Sequence, residues 1–252
     1  MPGKNNISSC EVLVIIPARG GSKAIPRKNI KLFAGHPLIA YSIAAARHSK
    51  SVHRIIVSTD DPDIAQIARH YGAEVPFLRP RQFAKDNSCD FDVFQHAIRW
   101  LKENEKYSPE IIVQLRPTSP LRPPGLIDQA VEMFRRHSNS DSLRTVTIAS
   151  QTPFKMWELK QNGLLKPVLR FKLAEAYNMP RQKLPPIYWQ TGHVDVFWLK
   201  TVNQKKSLTG RRVLGLIVPK EYSVDIDTLN DWALAERCMQ TKKGKYIKPD
   251  LL

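Results

Sequence analysis

The apolar positions of the first 149 residues switch between two periods. Val12 to Ile16 is an uninterrupted apolar run ended by Pro17, the pattern of a strand buried on both faces. From Pro37 to about Ser49, Leu38, Tyr41 and Ala45 recur at helical spacing, with proline at the favoured first position. Arg54 to Ser58 reads as a second strand. Asp61-Pro62 then supplies an N-cap pair for a helix with Ile64, Ile67, Ala68 and Tyr71 on its inner face and Gly72 as C-cap. Glu74 to Leu78 reads as a third strand, and residues 79–90 have no period. Phe91, Phe94, Ile98 and Leu101 define another helix, Glu110 to Leu115 a central strand, Gly125 to His137 a helix, and Leu143 to Ala149 a strand. Alternating strands and helices predict an α/β fold, a mostly parallel sheet with helices on both faces.

The rhythm breaks over 151–190, where Pro153, Pro167, Pro180, Pro185 and Pro186 fall among irregularly spaced aromatics. This stretch reads as an inserted arm. Strand character returns at 193–199 and 213–218, and a last helix spans about 228–240. The expected organisation is one domain over 10–240, carrying the arm, and a basic tail over 241–252 with Lys242, Lys243, Lys245 and Lys248.

Composition narrows the class. The chain has 252 residues, 42% apolar and 25% charged, ordinary for a globular protein with a substantial core. No apolar run approaches the ~20 residues that cross a bilayer, and the first residues lack the apolar core of a signal peptide, so a cytoplasmic location is the default expectation. Cys10, Cys89 and Cys238 are too few and too far apart for a disulfide framework or a zinc site. The formal net charge of +16 raises nucleic acid as a partner. The cations are spread along the chain without an aromatic-interleaved stripe, which weighs against that class.

Four stretches could carry chemistry. The loop after the first strand holds Arg19, Gly20, Gly21, Ser22, Lys23, Arg27, Lys28 and Asn29. It follows neither the Walker A nor the G-x-G-x-x-G spacing. Its glycines admit close backbone approach to an anion, and its cations suit a polyphosphate; the alternative is a basic turn capping the sheet. In Asp225-Ile226-Asp227, extended backbone puts both carboxylates on one face about 7 Å apart, a spacing that suits Mg²⁺ shared with substrate phosphates. The alternative, Asp227 as a helix cap, is weakened by Thr228 and Asp231, which form a capping box of their own. Arg116, Thr118, Ser119 and Arg122 lie on a proline-stiffened turn suited to an anionic or polyhydroxy ligand. Arg181 could pair with a carboxylate, and Gln190 and Thr191 could bond sugar hydroxyls, unless their segment packs on another subunit. His193 reads as structural, Asp195 as the partner of a buried group, and Asp60 as a strand-end acid without an assigned role.

These stretches together resemble the acylneuraminate cytidylyltransferases, the CMP-sialic and CMP-nonulosonic acid synthetases. The likeness lies in Ile16-Pro17-Ala18-Arg19-Gly20-Gly21-Ser22-Lys23 with Pro26-Arg27-Lys28-Asn29, Val57-Ser58-Thr59-Asp60, and Arg79-Pro80 with Ala84 and Asp86. It continues in Pro117-Thr118-Ser119-Pro120-Leu121-Arg122, Pro180-Arg181-Gln182 and Asp225-Ile226-Asp227. The resemblance implies a Rossmann-like nucleotidyltransferase, an arm-exchanged homodimer, Mg²⁺ dependence, CTP as donor and a sialic-type sugar acid as acceptor, with N-acylneuraminate cytidylyltransferase as the reference activity. It implies that Arg19, Ser22 and Lys28 meet the nucleotide and its phosphates, beside the Gly20, Gly21 and Lys23 that the loop's own chemistry assigns to the phosphates, and that Asn29 and Arg79 contact cytidine. Arg116, Thr118, Ser119, Arg181, Gln190 and Thr191 fall to the acceptor, Asp225 and Asp227 to the metal, and Arg19, Lys28, Asp225 and Asp227 to catalysis. The chain departs from the family pattern at four places. Ala24 replaces a glycine, Arg116 a glutamine, Thr191-Gly192-His193 an Asn-Gly-Ala, and Asp90 a small residue. A different sugar or sugar-phosphate acceptor, or another nucleoside triphosphate, is the alternative that Arg116 motivates.

Overall fold

The computed structural model describes residues 11–169, 175–241 and 246–251; Cys10 and Lys242, Lys243 and Lys245 of the tail lie outside the described residues. The fold is built on β1 (Val12–Pro17), whose first five side chains are wholly buried. Because successive side chains of a strand point to opposite faces, β1 serves two cores at once. Val12, Val14 and Ile16 join one apolar cluster; Leu13 and Ile15 join the other. Each such side chain contributes roughly 1.5–3 kcal/mol by leaving water.

After β1 come a small hairpin, β2 (Leu32–Phe33) and β3 (His36–Pro37), then α1 (Leu38–Arg47), β4 (Arg54–Ser58), α2 (Pro62–His70), α3 (Asp90–Glu105), β5 (Ile111–Gln114), α4 (Leu126–Arg136) and β6 (Ser142–Ile148). A separate two-stranded sheet, β7 (Trp157–Leu159) with β8 (Leu165–Pro167), lies within the proline-rich stretch. The chain returns through β9 (Tyr188–Trp198), α5 (Leu199–Lys205), β10 (Val213–Ile217) and α6 (Leu229–Thr241). The main sheet has the order β10-β6-β9-β5-β1-β4. Helices α1, α2 and α4 cover the face of Val12, Val14 and Ile16; α3 and α5 cover the other. Cys89 and Cys238 are free thiols. No described helix is long and apolar enough to cross a membrane.

The sheet departs from the expected one at two points. Strand β9 runs antiparallel between β5 and β6, because it enters from the proline-rich segment and not from a crossover helix. Residues 74–78 form only isolated bridges, Ile56 with Glu74 and Thr59 with Leu78. Pro76 and Pro80 lack the N–H groups that a full ladder needs. The bridges still matter, since the Arg79 N–H donates to the Thr59 carbonyl at 2.7 Å and fixes Arg79 at the sheet's carboxyl edge.

A third apolar cluster ties the two ends of the chain together. Phe33 of the hairpin packs edge-on against Tyr41 of α1 and Trp232 of α6, with ring centroids 5.3 and 5.4 Å apart. Ile25 and Ile226 are buried in the same cluster. Thr228 and Asp231 make the capping box of α6: the Thr228 N–H donates to Asp231 Oδ2 at 2.8 Å, and the Asp231 N–H donates to Thr228 Oγ1 at 3.3 Å.

Two buried polar residues brace the β5 turn. Arg122 donates to the His193 carbonyl at 2.7 Å, the Arg116 carbonyl at 3.2 Å and Ser42 Oγ at 3.3 Å. Burial pulls its guanidinium down to about 9, and it faces the interior, not a ligand. His193 sits 3.0 Å from the Tyr222 carbonyl through Nε2; burial first, then the nearby Arg122 charge, pulls it from 6.5 to about 3. A histidine held neutral in the fold stabilises it fully above pH 6.5, and that contribution is lost as pH falls toward about 3. The loss is at most about 1.4 kcal/mol per pH unit. Urea midpoints of the native chain are therefore expected to fall more steeply from pH 7 to 4 than those of His193→Gln; parallel curves would contradict this.

Candidate active site

The carboxyl ends of β1, β4 and β5 open into a cleft of about 240 Å³, the usual ligand position of an open α/β sheet. Arg19, Ser22, Lys28 and Asn29 line it from the first loop, Arg79, Asp86 and Asp90 from the 79–90 segment, and Arg116 and Thr118 from the β5 turn.

The first loop is held from behind. The Gly20 N–H donates to Asp60 Oδ1 at 3.0 Å, which gives Asp60 its role. A Cβ at Gly20 would lie 2.6 Å from Asp61 Oδ2 and 2.9 Å from Asp61 Cβ. Asp61 cannot yield easily: it caps α2 by accepting from the Asp63 and Ile64 N–H groups at 2.9 and 3.1 Å. Arg27 clamps the same corner, reaching Asp61 at 3.0 Å and Asp63 at 2.7 Å. Asn29 Nδ2 donates to the Arg19 carbonyl at 2.9 Å, so part of its amide shapes the loop. Ala24 is not among the residues with positive φ, and alanine fits there without strain. Gly21 likewise lacks a positive φ and faces open space.

Lys28 closes the site against the far end of the chain. Its Nζ donates to the Ile226 carbonyl at 2.7 Å and lies 3.4 Å from Asp227 Oδ1. The Ile226 N–H donates to the Thr118 carbonyl at 2.8 Å, and Ser119 Oγ donates to Asp225 Oδ1 at 3.3 Å. Buried Ile226 thus anchors a segment whose two flanking carboxylates are exposed. Ser119 is buried and positions Asp225, so its expected contact with the acceptor gives way to that role. Among the described residues no group of three or more His, Cys, Asp or Glu forms a metal cage. Two exposed carboxylates fit Mg²⁺ only as a site that substrate oxygens complete.

Two features set the charge of the cleft. Arg19 Nη1 lies 2.8 Å, and Lys23 Nζ 2.5 Å, from Asp86, whose carboxyl is held below its usual range by the Lys23 bond foremost and by Arg19. Arg79 is buried, and its Nε and Nη2 have no hydrogen-bond partner. Burial lowers its pKa. Buried donors left open are costly in a folded chain, and Arg79 lines the cleft.

The remaining expected contacts are distributed differently. Arg116 Nη2 is paired with Asp90 Oδ2 at 2.6 Å. Thr191 is buried, with its hydroxyl 2.9 Å from Thr145 Oγ1, and is not available to a ligand. Gln190 Nε2 is 3.4 Å from Asp195 Oδ2. Asp195 is buried and pairs with Arg144 at 2.5 Å, the partner expected for it; burial raises its pKa against the pull of Arg144. Arg181 donates to the Ser150 carbonyl at 2.8 Å and to the Ala149 carbonyl, and it lines a separate cavity beside Pro185 and Pro186. Of the expected site residues, Arg19, Ser22, Lys28, Asn29, Arg79, Arg116 and Thr118 line the cleft; Gly20, Gly21, Lys23, Asp225 and Asp227 stand behind or beside it, and Ser119, Arg181, Gln190 and Thr191 of the same chain are not brought to it. Asp86 and Asp90 are acidic cleft residues that received no role from sequence. Their partners lie 24 or more positions away, beyond any local spacing.

A mostly parallel sheet with a phosphate-type loop after β1 and paired carboxylates before the last helix defines a nucleotidyltransferase. Residues 13–242 match the family described as Cytidylyltransferase. The chain is 37% identical over 240 residues to CMP-N,N'-diacetyllegionaminic acid synthase of Legionella pneumophila, covering 94% of this chain and 99% of that one. It is 33% identical to pseudaminic acid cytidylyltransferase of Campylobacter jejuni, covering 89% and 94%. A solved CMP:2-keto-3-deoxy-manno-octonic acid synthetase complexed with CTP shares the fold with a TM-score of 0.68 at 15% identity, over 92% and 99% of the two chains. The chain belongs to the nonulosonic acid CMP-synthetase family of cytidylyltransferases.

Gly20→Ala is expected to destabilise the fold by on the order of 1–3 kcal/mol and to weaken CTP binding, because Asp61 and the Arg27 clamp must shift. Urea denaturation and calorimetric CTP titration check this; unchanged values for both would contradict it.

Proposed function

We propose that this chain transfers CMP from CTP to a nonulosonic acid. The anomeric hydroxyl of the acid attacks the α-phosphorus and releases its proton to solvent, the new O–P bond forms as the bridge to the β-phosphate breaks, and pyrophosphate leaves with the displaced electron pair. The observation that carries the reading is one cleft holding open Arg79 donors beside Lys28, itself tied to the Asp225–Asp227 segment. The Arg79 donors suit the O2 and N3 acceptors of cytosine. Arg19 and Lys28 face the phosphates and offset the charge gathering on the leaving pyrophosphate. Positioning and charge neutralisation do most of the work in such a transfer. Asp225 and Asp227 would hold Mg²⁺, which when bound supplies Lewis-acid polarisation of the phosphate oxygens.

The names of the two relatives favour a legionaminic- or pseudaminic-type acid as acceptor, with N-acylneuraminate as a further member of the same class. The alternative of a sugar-phosphate acceptor finds no counterpart in these names. The exposed apolar face around Trp157, Leu159, Leu165 and Trp189 supports a homodimer through the arm. Such an exchange would carry Arg181 toward the partner's cleft.

The test is pyrophosphate release from CTP and Mg²⁺ with diacetyllegionaminic, pseudaminic and N-acetylneuraminic acids in turn. At least one acid is expected to support turnover, and silence with all three would overturn the proposal. Asp225→Asn is expected to lower kcat by on the order of 100-fold with an unchanged melting temperature. Retained activity would remove Asp225 from the reaction.

A further inference from the structure

Two of the chain's departures from the family pattern, Arg116 and Asp90, meet in the cleft. Arg116 Nη2 donates to Asp90 Oδ2 at 2.6 Å, and Gln114 Nε2 donates to the same oxygen at 3.0 Å. The backbone leaves room for this. At Gly192 an added Cβ would lie 3.0 Å from Arg116 Cδ and 2.4 Å from Ser119 Oγ, so the arginine stem rests on a glycine. Asp90 is the first residue of α3 and closes the 79–90 segment that places Arg79, whereas Arg116 lies just beyond β5 and begins the turn that holds Asp225. The pair therefore bridges the nucleotide side of the cleft to the side where an acceptor must approach. Arg116 is the cleft cation nearest in sequence to Thr118 and Ser119, while Arg19, Lys28 and Arg79 stand over β1 and β4.

We propose that Asp90 is a positioning residue for the acceptor: it holds Arg116 neutralised and away from the triphosphate, so that the free guanidinium N–H groups read a carboxylate or acyl oxygen of the sugar acid. The inference rests on the proposed acid acceptor. It follows that the two positions act as a unit. Removing Arg116 alone leaves an uncompensated carboxylate facing an acidic substrate, and removing Asp90 alone frees one more cation to join the phosphates. Removing both restores charge balance and loses only the specific contact.

The experiment is a double-mutant cycle on the full chain, comparing Arg116→Gln, Asp90→Ser and the double variant with the native chain. Calorimetry reads the affinity for diacetyllegionaminic, pseudaminic and N-acetylneuraminic acids in the presence of a CTP analogue bridged by an α–β methylene group. Pyrophosphate release from CTP is measured separately. Arg116→Gln is expected to weaken acid binding about tenfold or more, Asp90→Ser about threefold, and the double variant less than Arg116→Gln alone. Asp90→Asn, which keeps an acceptor oxygen, is expected to lie between Asp90→Ser and the native chain, all with melting temperatures unchanged. Losses that simply add, or that fall on the CTP analogue in place of the acid, would overturn the inference. A native chain that binds an acid with this coupling but releases no pyrophosphate refutes the proposed activity and leaves the pair standing. Turnover with additive losses refutes the pair and leaves the activity standing. A native chain that binds none of the acids refutes both.

Discussion

The site depends on a contact across 198 positions of sequence, the Lys28 ammonium on the carbonyl of Ile226. Without it the basic loop after β1 and the acidic segment before α6 would be two unrelated surface features. The bond is charge-assisted, and the groups on both sides are anchored by burial. Ile25 precedes the lysine and Ile226 carries the carbonyl, and both belong to the apolar cluster built on Phe33, Tyr41 and Trp232. The hydrophobic effect thus fixes where opposite charges sit, and electrostatics only completes the arrangement. Asp225 and Asp227 are exposed because the residue between them is not.

The same division of labour recurs around the cleft. Asp61 uses one oxygen to cap α2 and the other to hold Arg27, so a helix terminus sets the path of the loop. Arg122 ties the β5 turn to β9 through the Arg116 and His193 carbonyls, and the Thr118 carbonyl of that turn receives the Ile226 N–H. Among the described residues, the buried side-chain atoms without a protein partner include Nε and Nη2 of Arg79, a residue that lines the cleft.

Much of this was legible in the residues. The run Val12 to Ile16, too apolar for a half-buried strand, predicted the two-sided core that β1 serves. Thr228 and Asp231 predicted the capping box and so released Asp227 from that duty. The antiparallel β9 was not legible, since its direction is set by where the proline-rich segment delivers the chain. Nor did Glu74 to Leu78 reveal that its prolines reduce a strand to bridges. At the site, cations and carboxylates could be named from residue type, but their pairing could not. Asp86 with Arg19, and Asp90 with Arg116, are products of tertiary folding. Thr191 looked like a ligand hydroxyl, yet β9 turns it onto Thr145; period-2 strand geometry decides the face, and one residue of register reverses it.

Whether the loop after β1 and the Asp225–Asp227 segment form one nucleotide site is tested most directly by crystals soaked with CTP and Mn²⁺ and read by anomalous scattering. Manganese is expected at Asp225 and Asp227, with the triphosphate beside Arg19 and Lys28 and the base against Arg79. Manganese bound away from both aspartates, or a triphosphate outside this cleft, would contradict it.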